Sequence, residues 1–481
     1  MKRIVFVSTI LLSLFVSSGC STSIPGKFLN PKEPVSFVAP QPKIWTLNNG
    51  VEVRYLEDRE LPIVRAALYV KGGQMWESGE DLGLTEALGV LWRDGGTESL
   101  SPDVVDRRLE ELAANVSTSF GGEYGVANFD CLEPDLDVVA DIFKEVVFKP
   151  RFDEGRLALW KGQEIDSIRR RSDDPEVVAG IAAGQLLFRG YRPGMVTTSA
   201  TIKRISREML RKQYGKFVRP EGAIFAITGS INEERAKALA EHLLGAWTAT
   251  AGSLEDLTPI ADEPVKGVYF IKGPYTQASI MIAQRGVRRF SPDYASIDIF
   301  NEVFGASGFS SRLFKTVRTK QGLAYSVGGG IFAGRRSGQN MIVIQTKGES
   351  TGVAVAEALN VLRGIKEEGV TSDELTDSRR AIVNGFVFQV DSTSDVLTRG
   401  ITQRYAGYPE NFDAKYLADI AEVRAGDVRT VANQRWNLDN LLVVVAGDQT
   451  AYNSLTQALA GIPELNIPVQ ELEFDEAAKL K

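Results

Sequence analysis

Side chains able to do metal or nucleophilic chemistry are few in this chain. There is one histidine, His242, and there are two cysteines, Cys20 and Cys131. A typical zinc site draws on several His and Cys side chains. One imidazole and one spare thiol cannot supply it, and an all-carboxylate site is the metal chemistry left open. No acidic loop has calcium-type spacing. His242 lies in Ala240-Glu241-His242-Leu243 and reads as a surface or capping residue. A Ser–His–Asp triad would have to recruit it, and Gly308-Phe309-Ser310-Ser311 is not a nucleophile elbow. Phosphate loops and dinucleotide fingerprints are absent from the sequence.

The elements that must position any site are ordinary globular ones. The chain has 481 residues, 43% hydrophobic and 24% charged, enough for a large core without disulfide or metal. At roughly 100–200 residues per domain, two to four domains are expected. Net charge is −7, and no basic stripe is interleaved with aromatics, which argues against nucleic acid as a partner. Arg169-Arg170-Arg171, followed by Asp173 and Asp174, reads as a solvated helix end.

Residues 1–20 differ in kind. Lys2 and Arg3 precede an apolar run from Ile4 to Val16, then Ser17-Ser18-Gly19-Cys20. This reads as a secretory signal. Its Gly-Cys end resembles a bacterial lipoprotein signal, in which Cys20 is lipidated and becomes the mature N-terminus. Ser17 stands where such signals usually carry Leu. Cys131, in an apolar stretch, is then a buried small hydrophobe with no disulfide partner. Residues 21–42 read as a proline-rich tether. The expected location is the bacterial envelope, lipid-anchored, on the periplasmic face of the outer membrane.

The remainder alternates strand and helix patterns twice. Strands are expected on both sides of Asn48-Asn49-Gly50, then at 63–70, 116–120, 126–132 and 223–228. Helices are expected at 82–92, from the Ser101-Pro102 start, and at 135–147, 153–171, 208–217 and 231–244. The second run has strands at 268–271, 279–283, 322–332 and 341–346. Its helices fall at 294–304, 353–368, 372–388 and 394–406. Gly328-Gly329-Gly330 reads as a strand bend. Ala223-Ile224-Phe225-Ala226-Ile227-Thr228-Gly229 parallels Leu441-Leu442-Val443-Val444-Val445-Ala446-Gly447, each before a closing helix. The expected fold is α+β: two homologous lobes, each a mainly antiparallel sheet with helices packed on it. The lobes span 43–247 and 265–465, joined by a linker at 248–264 and followed by a tail at 466–481.

From about Trp45 to Leu465 the chain resembles the insulinase/pitrilysin peptidases, which carry an inverted zinc motif, H-x-x-E-H. The resemblance rests on Leu47-Asn48-Asn49-Gly50-Val51, on Asp81-Leu82-Gly83-Leu84-Thr85-Glu86-Ala87-Leu88 and on Gly95-Gly96-Thr97. In the second lobe it rests on Gln277, on the run from Gly305 to Leu313 and, most specifically, on Arg318-Thr319-Lys320-Gln321-Gly322-Leu323-Ala324-Tyr325. Such a motif places two His on one helix face and a Glu base between them. The resemblance puts those three positions on Glu86, Gly89 and Val90. Glu164 falls at the orphaned third-ligand position, and Leu157 replaces its earlier acidic neighbour.

What survives is the second-lobe pair. In active relatives an Arg and a Tyr seven residues apart hold the substrate backbone and steady the transition state, and Arg318 and Tyr325 match them. A surface ion-pair residue and a strand aromatic are the plainer reading of the same two side chains. The loop with Gly305 and Gly308 resembles a substrate-contacting segment of noncatalytic processing-peptidase subunits, and reads equally as a helix-to-helix turn. Some small relatives work as pairs, one subunit keeping the zinc and the other supplying the Arg–Tyr pair. The resemblance thus implies a noncatalytic subunit that binds unfolded peptide, holds no cofactor, and serves a zinc-bearing homologous partner. The alternatives are a non-enzymatic peptide-binding or scaffold lipoprotein, including a homodimeric form, and an independent metal-dependent hydrolase.

Overall fold

A computed structural model describes residues 39–248 and 254–475. Cys20, nearly all of the 21–42 tether and the end of the tail lie outside them. The first lobe runs β1 (Lys43–Thr46), β2 (Glu52–Glu57), β3 (Ile63–Lys71), α1 (Leu84–Asp94), α2 (Pro102–Glu111), β4 (Asn115–Phe120), β5 (Tyr124–Leu132), α3 (Leu136–Phe148), α4 (Glu154–Arg170), α5 (Pro175–Leu187), α6 (Ser199–Arg204), α7 (Arg207–Phe217), β6 (Ile224–Gly229) and α8 (Glu233–Leu244). The second runs β7 (Gly267–Lys272), β8 (Ala278–Gly286), α9 (Tyr294–Asn301), β9 (Ala324–Phe332), β10 (Gly338–Thr346), α10 (Thr351–Glu368), α11 (Ser372–Phe386), α12 (Thr393–Ala406), α13 (Phe412–Glu422), α14 (Ala425–Arg435), β11 (Leu442–Gly447), α15 (Gln449–Leu459) and β12 (Val469–Leu472).

The sheets are ordered β1-β2-β6-β3-β5-β4 and β12-β7-β11-β8-β10-β9. After the first strand of each, the orders correspond element for element, as a duplicated α+β unit requires. The end strands differ. β1 precedes β2 and runs antiparallel to it, whereas β12 comes from the end of the chain and runs parallel to β7. Residues 469–472, read from sequence as tail, are therefore a sheet strand. Gly328-Gly329-Gly330 is not a bend, because β9 runs through it unbroken. Helices α5, α6, α13 and α14 have no counterpart in the sequence reading.

Side chains alternate across each sheet. Val64, Ala66, Leu68 and Val70 face the first lobe's own helices. Leu56, Tyr69, Ile224 and Ala226 face the other way, where Val396, Leu397 and Ile401 of α12 cover them. Reciprocally, Val178, Ala179, Ala182 and Ala183 of α5 cover Ile271, Met281, Ala283, Leu442, Val444 and Ala446 of the second sheet. The two lobes thus exchange equivalent helices. Each fully buried aliphatic chain contributes roughly 1.5–3 kcal/mol, so neither sheet is complete without the other lobe.

Polar contacts fix the exchange. Arg285 Nε donates to the Leu187 carbonyl at the end of α5, 2.7 Å. Tyr405 of α12 donates to the Gly222 carbonyl, 2.7 Å, and its ring stacks on Tyr124. Glu123, in the β4–β5 turn, accepts from Arg289 (2.7 Å) and Arg335 (2.8 Å) of the second lobe. Burial raises the Glu123 pKa, but the two guanidiniums outweigh it and hold the carboxyl below its ordinary value.

Leu397→Ala should therefore cost about 2–4 kcal/mol and shift one cooperative transition for both lobes. Calorimetry showing two separate transitions would count against the exchange. A carboxylate with a lowered folded pKa adds stability above its unfolded pKa, and that stability is lost as pH falls through the folded value. Glu123→Gln should thus cost roughly 2–4 kcal/mol at pH 7. Its gap to the native chain should close below about pH 4, as denaturant titrations at both pH values would show.

Candidate functional site

Helix α1 carries Glu86, Gly89 and Val90, the positions onto which the family resemblance would place a metal motif. Leu84, Ala87, Leu88 and Leu91 hold it in the core. Gly83 precedes it with φ of 88° and no side-chain cap. Glu77 caps instead: its carboxylate accepts from the Thr85 amide, 2.7 Å, and from Arg192, 2.6 Å. A buried acid at a helix N-terminus is favoured by the helix dipole.

Glu86 lines a polar cavity of about 780 Å³ with Glu77, Glu164, Arg170, Arg171 and Arg192. Burial raises the Glu86 pKa, and the Glu164 and Glu77 carboxylates raise it further, while Arg171 and Arg192 oppose them. Arg171 donates to the Thr197 carbonyl, 2.8 Å. It is turned inward, unlike the solvated helix end expected for the 169–171 run. Neither its role nor that of Arg192 was legible locally, because their partners lie far away in sequence.

Zinc does not fit this site. Val90 is a partly exposed hydrocarbon, and Glu77 is committed to Arg192. Among the described residues no group of three His, Cys, Asp or Glu could hold a metal. Gly89 carries the stronger argument. Its carbonyl accepts from Thr118 Oγ1 of β4, 2.7 Å, and a Cβ built there would lie 2.7 Å from the Phe120 amide nitrogen. The helix is seated directly on strand backbone, and no side chain of any kind has room. His242 is elsewhere, on the outer surface, 2.8 Å from Asp141. Cys131 is buried and Leu157 is a core residue.

The second lobe presents the other residues. The chain leaves α9 through a π-helical turn at 302–306, and a second such turn spans 314–320. Buried Leu313 and Val317 anchor this segment and leave Arg318 outside. Its guanidinium lies 4.6 Å over the Phe314 ring and has no carboxylate partner among the described residues. Gln345 faces Ser326 while Thr346 faces Ala324, so Tyr325 is the extra residue of a β-bulge on the edge strand β9. Bulges and π-turns concentrate at functional sites because they re-aim single side chains. Tyr325 is 48% exposed.

The neighbouring motif residues are structural. Arg312 pairs with both Glu374 oxygens at 2.7 Å, and Ser311 Oγ donates to the Gly308 carbonyl, 2.8 Å. Gly305 is buried against β9: a Cβ there would lie 2.6 Å from Gly329 N and O. Gly308 sits exposed in a turn with φ of 56° and open space around it. The structure brings Glu86 and Glu164 to one cavity, and it places Arg318 on the 314–320 turn and Tyr325 on the edge strand β9 that packs against that turn. It does not join the two groups, since neither Arg318 nor Tyr325 lines the cavity.

The fold is a two-lobed α+β chain in which α1 is seated at Gly89 directly on the backbone of β4. Residues 204–382 match the family model described as "Peptidase M16 inactive domain", a stretch covering the end of the first lobe and most of the second. The chain is 22% identical to an "uncharacterized zinc protease YmxG" of Bacillus subtilis, over 84% of this chain and 98% of that one. It is 21% identical to a "non-peptidase homolog YmxG" of Helicobacter pylori, over 83% and 92%. The crystal structure of a peptidase M16 inactive domain from Pseudomonas fluorescens superposes with a TM-score of 0.76 at 24% identity, covering 85% of this chain and 98% of that one. The chain is thus similar to the peptidase M16 inactive-domain proteins over residues 204–382 and shares their two-lobed fold.

Rebuilding the motif by Glu86→His, Gly89→Glu and Val90→His together should not create a zinc site. The Gly89 change alone should cost about 1–3 kcal/mol or more, read as a lowered Tm. Stoichiometric zinc in the triple variant by elemental analysis would contradict the seating of α1 on β4.

Proposed function

We propose that this chain is the noncatalytic subunit of an envelope-located heteromeric zinc metallopeptidase. It binds an unfolded peptide and supplies Arg318 and Tyr325 to a zinc-bearing homologous partner. One contrast supports this reading most: backbone packing at Gly89 leaves no room for a side chain on α1, while Arg318 and Tyr325 are exposed and neither side chain has a hydrogen-bond partner among the described residues. The lipoprotein-type signal ending at Cys20 supports the envelope location.

The chemistry follows from the two side chains. A guanidinium offers paired N–H donors that hold a peptide carbonyl in place. As the carbonyl carbon becomes tetrahedral, negative charge grows on its oxygen, and a phenol can donate to it. Arg318 is stacked on Phe314 and Tyr325 is turned out at the bulge of β9, so both donors are already presented. The partner would supply the zinc and the base.

Mixing the purified protein with a zinc-bearing homologue from the same organism tests this. Arg318→Ala should lower the complex's kcat by roughly 10²–10³ and Tyr325→Phe should lower it less, both with unchanged Tm because both side chains are exposed. If both variants leave the rate untouched, the reading fails. A stable homodimer that binds peptide and stimulates no homologue would favour the scaffold alternative.

A further inference from the structure

We infer that Phe309 sets the specificity of this peptide surface: it takes a large apolar or aromatic side chain of the bound segment while Arg318 holds backbone beside it. The inference rests on the peptide-binding reading above and names what that peptide must carry.

Phe309 is 79% exposed, more than any other large hydrophobic residue among those described. A single exposed hydrophobe needs no explanation by itself. What sets Phe309 apart is how firmly it is held out. Ser307 Oγ donates to the Glu302 carbonyl, 2.6 Å. Ser310 Oγ lies 2.8 Å from Ser307 Oγ. Ser311 Oγ closes on the Gly308 carbonyl and also accepts from the Phe314 amide, 3.3 Å. Gly308 takes the left-handed conformation that turns the chain outward. Three hydroxyls and one glycine therefore brace a short loop whose outermost side chain is an aromatic ring. Phe388, exposed to a similar extent, stacks on no other ring among the described residues.

The Phe309 ring meets Phe314 edge-on, with centroids 4.6 Å apart, and Phe314 also carries the Arg318 guanidinium at 4.6 Å. Ring and guanidinium thus lie within about 9 Å of each other. An extended peptide advances about 3.3 Å per residue, so a segment of three or four residues reaches both. Arg318 is stacked on a ring and left without a carboxylate, so its N–H edge is available to a carbonyl. The pair fits an extended segment with a bulky apolar residue close to the carbonyl that Arg318 holds. Pre-ordering both groups lowers the entropy cost of that contact.

The test is fluorescence anisotropy of the full chain with labelled unstructured decapeptides, identical except for Phe, Leu or Ser at one central position. The native chain should bind the Phe peptide at least about tenfold more tightly than the Ser peptide. Phe309→Ser should erase that preference while leaving affinity for the Ser peptide and the Tm unchanged. Equal binding of all three peptides by the native chain would overturn the inference and leave the peptide-binding reading standing. A preference that survives in Phe309→Ser would do the same. Failure to bind any of them would overturn both.

Discussion

The exchange of α5 and α12 between lobes is the contact on which the rest depends. Each sheet has one face covered by its own lobe and the other by a helix from the opposite lobe. The duplication is therefore interlocked and does not behave as two beads on a string. That interlock fixes where the edge strands β4 and β9 lie, and both candidate sites are built against those edges. α5 itself links them. Its N-cap, Asp174, and residues of its outer side line the Glu86 cavity. Glu176 in its first turn pairs with Gln345, which in turn accepts from Ser326, next to Tyr325.

The two lobes use the same device at their edges to opposite ends. In the first, Gly89 seats α1 on the β4 backbone. In the second, Gly305 seats the turn after α9 on β9 at Gly329, and Asn301 bonds both the N–H and the carbonyl of Ile331. In the first lobe the close approach falls on Gly89, where the family resemblance would place a catalytic base, and leaves no room for a side chain. In the second it falls short of Tyr325, and the bulge there remains open. The closed position at Gly89 and the exposed side chain at Tyr325 both follow from where a helix or turn rests on an edge strand.

Much of the fold was legible because the strands and most helices follow clean periodicities. β2 through β6 and β7 through β11 stand close to where alternation placed them, and the parallel between 223–229 and 441–447 marks equivalent strands. α5 is illegible in the sequence for a physical reason. It is apolar on the side against the second sheet and nearly so on its other side, with Val177 and Ile181, so it has no amphipathic stripe to read. β12 is short and polar, and is a strand only because β7 offers an edge. Glu86, Gly89, Val90, Arg318 and Tyr325 are singled out by motif resemblance. The seating of Gly89, the inward turn of Arg171, the Glu123 clamp and the bracing of Phe309 are not, because each depends on a partner distant in sequence or on backbone geometry.

The deciding observable is where metal and peptide lie in an assembled complex. A crystal structure of this chain with a zinc-bearing homologue and an uncleavable peptide, with anomalous data at the zinc edge, would locate both. The predicted result is one zinc per pair, in the partner, with the peptide backbone within hydrogen-bond reach of Arg318 and Tyr325. Zinc between Glu86 and Glu164 of this chain, or a peptide bound away from Arg318 and Tyr325, would contradict it.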